Sequence, residues 1–166
     1  MKRKLILGLF CLLLLFVYRM FFSVDSPEAH QLETTETADE QVSKLLDVAR
    51  TYIGTPHAYG KQSKKGIDCS GLVNISFKGI GLQIPRSSKN MASLGKAIEV
   101  DQLQPGDIVL FTHPGGVQIT HSGIVTKFID RDNIQFIHTS SSKGVIEESM
   151  TSKYWKQNFV MARRVL

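Results

Sequence analysis

The sequence has few cysteines, and it has only one long hydrophobic run. Two cysteines in 166 residues cannot form the network of disulfide bonds that stabilises many small secreted domains. A single run also excludes a protein with several membrane spans. The chain has no internal repeat and no low-complexity segment, and its 42% hydrophobic and 21% charged residues are close to the average for soluble domains. The length therefore favours one packed domain with a short appendage.

The hydrophobic run lies near the start of the chain. Lys2, Arg3 and Lys4 precede the apolar residues 5–18, and Arg19 interrupts the run before it resumes briefly. Basic residues ahead of such a run stay in the cytoplasm, so the rest of the chain is expected outside it. Residues 22–27, which follow the run, lack the arrangement of small residues that a signal-peptidase site requires. We therefore predict that residues 1–24 form a membrane anchor or an uncleaved signal. A buried helix is disfavoured because the run lacks a polar face.

The next segment has negative charge only. Residues 25–41 carry six Asp and Glu and neither Lys nor Arg, which is typical of an extended, flexible linker. Its last residues are expected to begin a helix. The remaining domain, residues 42–166, has 16 Lys and Arg against nine Asp and Glu. A basic domain outside the cytoplasm suits anionic wall polymers or lipopolysaccharide, and we expect no nucleic-acid partner.

Helical patterns come first in the domain and strand patterns follow. Apolar residues recur at helical spacing over residues 42–53, residues 69–77 follow the helix-capping residue Asp68, and a third helix is expected from Ser87 or Ser88 to about residue 94. Residues 54–66 are predicted to be an exposed loop. Short segments rich in Val, Ile and Phe then predict strands at residues 97–100, 107–112, 121–128, 134–138, 145–148 and 160–165. This order predicts an α+β fold in which N-terminal helices pack on an antiparallel sheet.

Cys69 is a candidate nucleophile because of its position at a helix start. The helix dipole and the free backbone N–H groups there favour the thiolate, which is the reactive form. A lone cysteine is also commonly a small buried hydrophobic residue, so its position alone leaves both roles open.

Two histidines could complete a catalytic group. His121 begins a predicted strand and His138 ends the next one, and antiparallel pairing of these strands would bring the two imidazoles together. The order Cys, His, His then supplies a nucleophile, a base and a residue that orients the base. Each histidine alone could equally be a core or edge residue. A metal site made of His57, His113 and His121 is disfavoured because the spacing fits no known ligand pattern, and we expect no metal or cofactor.

Segments of the domain resemble the NlpC family of bacterial cell-wall cysteine peptidases, which are small papain-like enzymes. The segments match in order and spacing: residues 53–56, 67–73, 84–88, 103–111, 121–125 and 136–138, followed by residues 154–155 and 161–165. The resemblance implies a papain-like NlpC-type fold. It also implies that Cys69 attacks an amide carbonyl, that His121 transfers the proton and that His138 orients His121. The implied substrate is a peptidoglycan stem peptide, cut between γ-D-glutamate and diaminopimelate or lysine.

The same resemblance suggests where the substrate binds. The candidate substrate-binding residues are Asp68, Ser70, Arg86, Ser87, Ser88 and His57. For Asp68 and Ser70, helix capping is an equally good role. His57 departs from the family pattern, which usually has Tyr directly after Gly-Thr-Pro. Residues 89–92 depart too, because a Gln often occurs there. Both differences concern the choice of substrate and leave the three catalytic candidates unchanged.

Three functions fit these observations. The first is a peptidoglycan endopeptidase held at the membrane through the N-terminal helix, with its domain on the periplasmic or extracellular face. The second is an amidase or acyltransferase that uses the same three residues, and the third is a wall-binding module without catalysis. All three catalytic positions hold suitable residue types, which favours an enzyme. The oligomeric state is left open.

Overall fold

The computed structural model describes residues 37–166. The predicted anchor, residues 1–24, and most of the predicted linker, residues 25–41, lie outside the described residues. Across residues 37–166, no helix has both the length and the hydrophobicity that a membrane crossing requires.

Four α-helices occur in the described part of the chain: α1 (Ala38–Arg50), α2 (Cys69–Gly79), α3 (Ser88–Met91) and α4 (Lys153–Asn158). Thr37 caps α1, because its hydroxyl accepts a hydrogen bond of 3.3 Å from the Glu40 N–H. The helix therefore includes residues 38–41, the end of the predicted linker.

Six strands form one antiparallel sheet: β3 (Lys96–Ile98), β4 (Ile108–Phe111), β5 (His121–Asp130), β6 (Asn133–Ser140), β7 (Gly144–Ser149) and β8 (Phe159–Arg164). Their order in the sheet is β3-β8-β4-β5-β6-β7. Two shorter strands, β1 (Gln62–Ser63) and β2 (Gly66–Ile67), form a separate small hairpin. The predicted α+β class with an antiparallel sheet is confirmed.

The sheet places hydrophobic residues on both of its faces. Alternate residues of a strand point to opposite faces. Ile124 and Ile137 pack with Leu72 of α2 on one face, whereas Val125 and Phe136 belong to a second cluster on the other. Leu72 is fully buried, and a completely buried side chain of this size contributes about 1.5–3 kcal/mol. This packing fixes α2, and thus its first residue, relative to β5 and β6.

Three local features of the structure differ from what the sequence predicted. The third helix ends at Met91 rather than near residue 94, because the chain turns at Gly95 (φ +43°) to pair Lys96 with Arg164. The segment 54–66 is largely exposed, as predicted, but it also contains β1 and begins β2, whose Gly66 is buried. Helix α4 was not predicted, because a helix of six residues is too short to show an apolar repeat.

Candidate active site

Cys69 is the first residue of α2, and its half-buried side chain lines a cavity of about 570 Å³. The Asp68 carboxylate caps the helix by accepting a hydrogen bond of 2.7 Å from the Gly71 N–H. The sulfur atom lies 3.8 Å from the Ser88 hydroxyl and 3.9 Å from the Thr120 carbonyl oxygen. Backbone N–H groups at a helix start can stabilise negative charge that develops on a bound carbonyl oxygen.

A network of charges, with Asp68 buried and Arg86 partly exposed, holds this helix start in place. The Arg86 guanidinium contacts both carboxylate oxygens of Asp68 at 2.8 Å and donates to the Ser70 hydroxyl at 2.7 Å. Burial alone would raise the pKa of Asp68, but hydrogen bonds from Arg86 and from the Gly71 and Gly60 amides outweigh burial and lower it below its ordinary value. The three side chains thus satisfy one another, which supports the helix-capping role for Asp68.

Gly71 is needed because the network is so close to the helix backbone. A Cβ atom at this position would lie 2.9 Å from an Asp68 carboxylate oxygen and 3.1 Å from an Arg86 nitrogen. Any larger residue would therefore separate Arg86 from Asp68 or displace the start of α2.

The structure brings His121 and His138 together through strand pairing. Gly123 of β5 lies opposite His138 of β6, and His121 is two residues earlier on the same face of β5. The His121 Nε2 atom is 3.0 Å from the His138 Nδ1 atom. A Cβ at Gly123 would lie only 3.2 Å from the His138 Cβ and 2.7 Å from a Phe136 ring carbon, so this position requires glycine.

Aromatic rings fix the orientation of both imidazoles. The Trp155 ring stacks on His121 with a centroid separation of 5.3 Å and an interplanar angle of 24°. The Phe136 ring stacks on His138 at 4.5 Å and 7°. Trp155 also meets the His138 ring edge-on, at 4.9 Å and 74°. Neither imidazole can rotate without displacing an aromatic neighbour.

A carboxylate that the sequence patterns did not single out extends this group. The Glu148 Oε1 atom lies 2.8 Å from the His138 Nε2 atom, and the Trp155 indole N–H donates to the same oxygen at 3.1 Å. Glu148 lies diagonally across from His138 on the same face of the sheet, because His138 pairs with Ile146 and Glu148 is two residues further along β7. One sequence signal could have identified Glu148. It lies in the predicted strand 145–148, which directly follows the strand that ends at His138.

Both histidines are poor proton acceptors from bulk solvent. Burial, followed by the neighbouring His138 and His57, lowers the pKa of His121 to about 3. Burial also lowers the pKa of His138, although the Glu148 carboxylate opposes this effect. His121 is therefore neutral at neutral pH, and a neutral imidazole is the form that can accept a proton from a thiol.

We expect enzymatic activity to persist well below the ordinary histidine pKa of about 6.5. Because the pKa of His121 is lowered to about 3, acidification to pH 5 should not protonate this base and should leave kcat/KM nearly unchanged. The measurement is kcat/KM from pH 4 to 9, with circular dichroism recorded at each pH. Since a cysteine and a histidine titrate as a pair, the acid limb reports the pair. An acid limb centred near pH 6.5 with the fold intact would contradict this expectation.

The cavity brings together the other residues selected from the sequence. Its lining includes Cys69 and His121, with all six substrate-binding candidates: His57, Asp68, Ser70, Arg86, Ser87 and Ser88. Sequence reasoning missed Tyr59, whose side chain is 90% exposed at this cavity, and Lys89. His138 is buried behind His121, and His113 is exposed outside the lining. Among residues 37–166, no group of three or more His, Cys, Asp or Glu residues could hold a metal ion.

Ser88, like Asp68 and Ser70, lines the cavity although it is buried. Its hydroxyl oxygen is 3.1 Å from the Ser122 hydroxyl oxygen, next to the Cys69 sulfur. This contact ties α3 to β5 beneath the nucleophile, so Ser88 supports the cavity wall as well as lining it.

Comparisons with known proteins place the chain among cell-wall enzymes and their relatives. The NlpC/P60 family matches residues 54–164. Over 125 residues, or 75% of the chain, the sequence is 42% identical to the probable endopeptidase NlpC of Escherichia coli K12, covering 78% of that protein. Over the same length it is 40% identical to the murein DD-endopeptidase MepS/murein LD-carboxypeptidase of that strain, but covers only 63% of it.

A more distant relative and a solved structure extend the comparison. The γ-DL-glutamyl hydrolase of Bacillus subtilis 168 is 32% identical over 130 residues, covering 77% of this chain and 30% of that protein. A Staphylococcus aureus crystal structure, described as similar to lipoprotein, NLP/P60 family, has a TM-score of 0.67 and 29% identity, covering 81% of this chain and 44% of that one. The chain thus spans less than half the length of these two proteins.

Proposed function

The chain belongs to the NlpC/P60 family, and from this premise we propose that it is a cysteine peptidase that hydrolyses amide bonds in peptidoglycan stem peptides. One observation carries the proposal. Cys69, at a helix start, and His121, hydrogen-bonded to His138, line the same open cavity. A nucleophile, a base and an orienting residue are the minimum set for acyl transfer to a thiol.

The first half of the reaction forms an acyl-enzyme. The Cys69 thiol gives its proton to the His121 ring nitrogen that does not contact His138, and the sulfur attacks the amide carbonyl carbon. N–H groups at the start of α2, including that of Cys69, stabilise the oxyanion. The C–N bond then breaks, and His121 returns the proton to the leaving amine.

The second half releases the product. A water molecule attacks the thioester carbonyl while His121 takes one of its protons, and the C–S bond breaks. The proton returns to the sulfur, so the free thiol is restored and a carboxylic acid leaves. The cavity is open enough to admit a peptide and basic enough to suit the carboxylates of a stem peptide, since Lys89 lies in its wall.

Two bonds in the stem peptide are candidates for cleavage. The bond from γ-D-glutamate to diaminopimelate or lysine is the one that the family resemblance implies, and a relative named γ-DL-glutamyl hydrolase supports it. The bond between D-amino acids in a cross-link is the second candidate, and a more similar relative named murein DD-endopeptidase favours it. His57 lines the cavity near both reacting residues, so it is positioned to influence this choice.

Digestion of purified peptidoglycan tests the function and identifies the bond. Mass spectrometry of the products distinguishes the two cuts, since γ-glutamyl cleavage leaves disaccharide-linked dipeptides and D,D cleavage converts cross-linked dimers to monomers. Release of intact stem peptides from the sugar would indicate an amidase instead. New amide or ester products would indicate an acyltransferase, and binding without any products would indicate a wall-binding module.

We also propose that residues 1–24 anchor the protein in the bacterial membrane, that residues 25–41 act as a tether and that residues 42–166 act outside the cytoplasm. The basic residues before an apolar run and the acidic segment after it support this arrangement. Because residues 38–41 belong to α1, the flexible part would be residues 25–37, which would reach about 18–22 Å and restrict cleavage to nearby wall. We expect the protein to remain in membranes after carbonate washing, with an intact N-terminus. Recovery of a soluble protein beginning near residue 26 would instead show a cleaved signal peptide.

A further inference from the structure

The Glu148 carboxylate is in direct contact with the histidine pair but does not line the cavity. Its Oε1 atom is 2.8 Å from His138, on the side of the ring opposite to His121. We propose that Glu148 is a positioning residue that sets the tautomer of His138 and, through it, the tautomer of His121. This proposal rests on the proposed function only in taking His121 as the base.

Hydrogen bonds link Glu148, His138 and His121 in a row. An ionised carboxylate only accepts hydrogen bonds, so the His138 Nε2 atom must carry the hydrogen that faces Glu148. In a neutral imidazole the other nitrogen then has a free lone pair, and the His138 Nδ1 atom accepts a hydrogen bond from the His121 Nε2–H at 3.0 Å. This leaves the His121 Nδ1 atom without a hydrogen, ready to take the thiol proton.

The opposite arrangement is unfavourable. If the His138 Nδ1 atom carried the hydrogen, two lone pairs would face each other between His138 Nε2 and Glu148, only 2.8 Å apart. His121 would then have to present its Nε2 lone pair to His138 and carry its hydrogen on Nδ1. The base would be blocked, so a single carboxylate fixes the useful state of both rings.

The surroundings hold Glu148 in this role. The Trp155 N–H donates to the same carboxylate oxygen at 3.1 Å while its ring stacks on His121. Glu148 remains 34% exposed, so water can solvate the rest of its carboxylate. The other groups that affect His138 are the Thr139 backbone, the Lys143 charge and His121, and none of these is an anion.

The neighbouring residue provides a matched control. Glu147 precedes Glu148 in β7, so its side chain points to the other face of the sheet, where it lies 3.4 Å from Arg50. A change of Glu147 to Gln removes the same charge from the same strand without touching either histidine.

Kinetics of three variants give the first test. We expect Glu148→Ala to lower kcat by about 10- to 100-fold, the usual effect of losing a group that orients a functional histidine. KM should change little, because Glu148 does not line the cavity. Glu148→Gln should restore most of the activity, since its amide oxygen can accept the same hydrogen bond, and Glu147→Gln should match the wild type.

Nitrogen-15 NMR of the histidine rings gives the second test, and it needs no substrate. We expect both His121 and His138 to be the Nε2–H tautomer in the wild type and in Glu148→Gln, and both to become mixtures in Glu148→Ala. A wild-type His138 with its hydrogen on Nδ1 would overturn the proposal, even if Glu148→Ala failed to fold. Unchanged tautomers in a folded Glu148→Ala protein, or an equal loss of kcat in Glu147→Gln, would overturn it too.

The two tests separate this inference from the proposed function. If the wild type cuts no peptidoglycan but shows the expected tautomers and their loss in Glu148→Ala, the proposed function fails and the role of Glu148 stands. If the wild type is active and its tautomers do not depend on Glu148, the proposed function stands and the positioning role fails.

Discussion

Replacing Cys69 by alanine is expected to abolish hydrolysis of peptidoglycan, with a loss of about 10⁴-fold or more in kcat. The sulfur is the one protein atom that forms a covalent bond with the substrate in the proposed mechanism, and alanine offers no substitute for it. The assay is the release of soluble fragments from purified peptidoglycan. Cys69→Ser should be nearly as inactive, because a hydroxyl is a far weaker acid than a thiol and His121 is a weak base.

Loss of activity in this variant should not be caused by unfolding. Cys69 is only half-buried, and the cap of α2 is supplied by Asp68, whose contacts with Gly71 and Arg86 do not involve the sulfur. Thermal unfolding of Cys69→Ala should therefore resemble that of the wild type, and the variant should still bind peptidoglycan. Hydrolysis at the wild-type rate by this variant would rule out a thiol mechanism.

The sequence allowed the class of the fold and the main helices and strands to be predicted. The reason is that apolar periodicity in a segment such as α2 and alternation in segments such as β5 and β6 are local properties of the chain. The pairing of β5 with β6 could also be anticipated, because residues 131–132 form a short turn between them. That pairing is what brings His121 next to His138.

Other features depend on distant parts of the chain and could not be predicted this way. The bidentate pairing of Arg86 with Asp68 joins residues 18 positions apart, and nothing local distinguishes Arg86 from an exposed arginine. Glu148 and Trp155 reach the histidines only because β7 and α4 follow β6 around the sheet. The sequence therefore identified candidate reactive residues more fully than it predicted how they are oriented.

Substitution of the two histidines is expected to have unequal effects. We expect His121→Ala to be about as damaging as loss of Cys69, because removal of the base leaves the thiol proton without an acceptor. His138→Gln and His138→Asn should keep some activity, at least about a hundred times more than His121→Ala. A side-chain amide has an oxygen that can accept from His121 and an NH₂ group that can donate to Glu148, so it can replace the imidazole between them.

The measurement is kcat for the three histidine variants on purified peptidoglycan, with His113→Ala as the control because that histidine is exposed and does not line the cavity. The structure favours this ranking for a simple reason of access. His121 lines the cavity together with Cys69, whereas His138 is only 2% exposed and lies behind His121. If His138→Gln were inactive and His121→Ala active, His138 would have to reach the thiol directly. In the wild-type protein, the His121 ring would then have to leave its stack on Trp155 to open a path for the proton between Cys69 and His138.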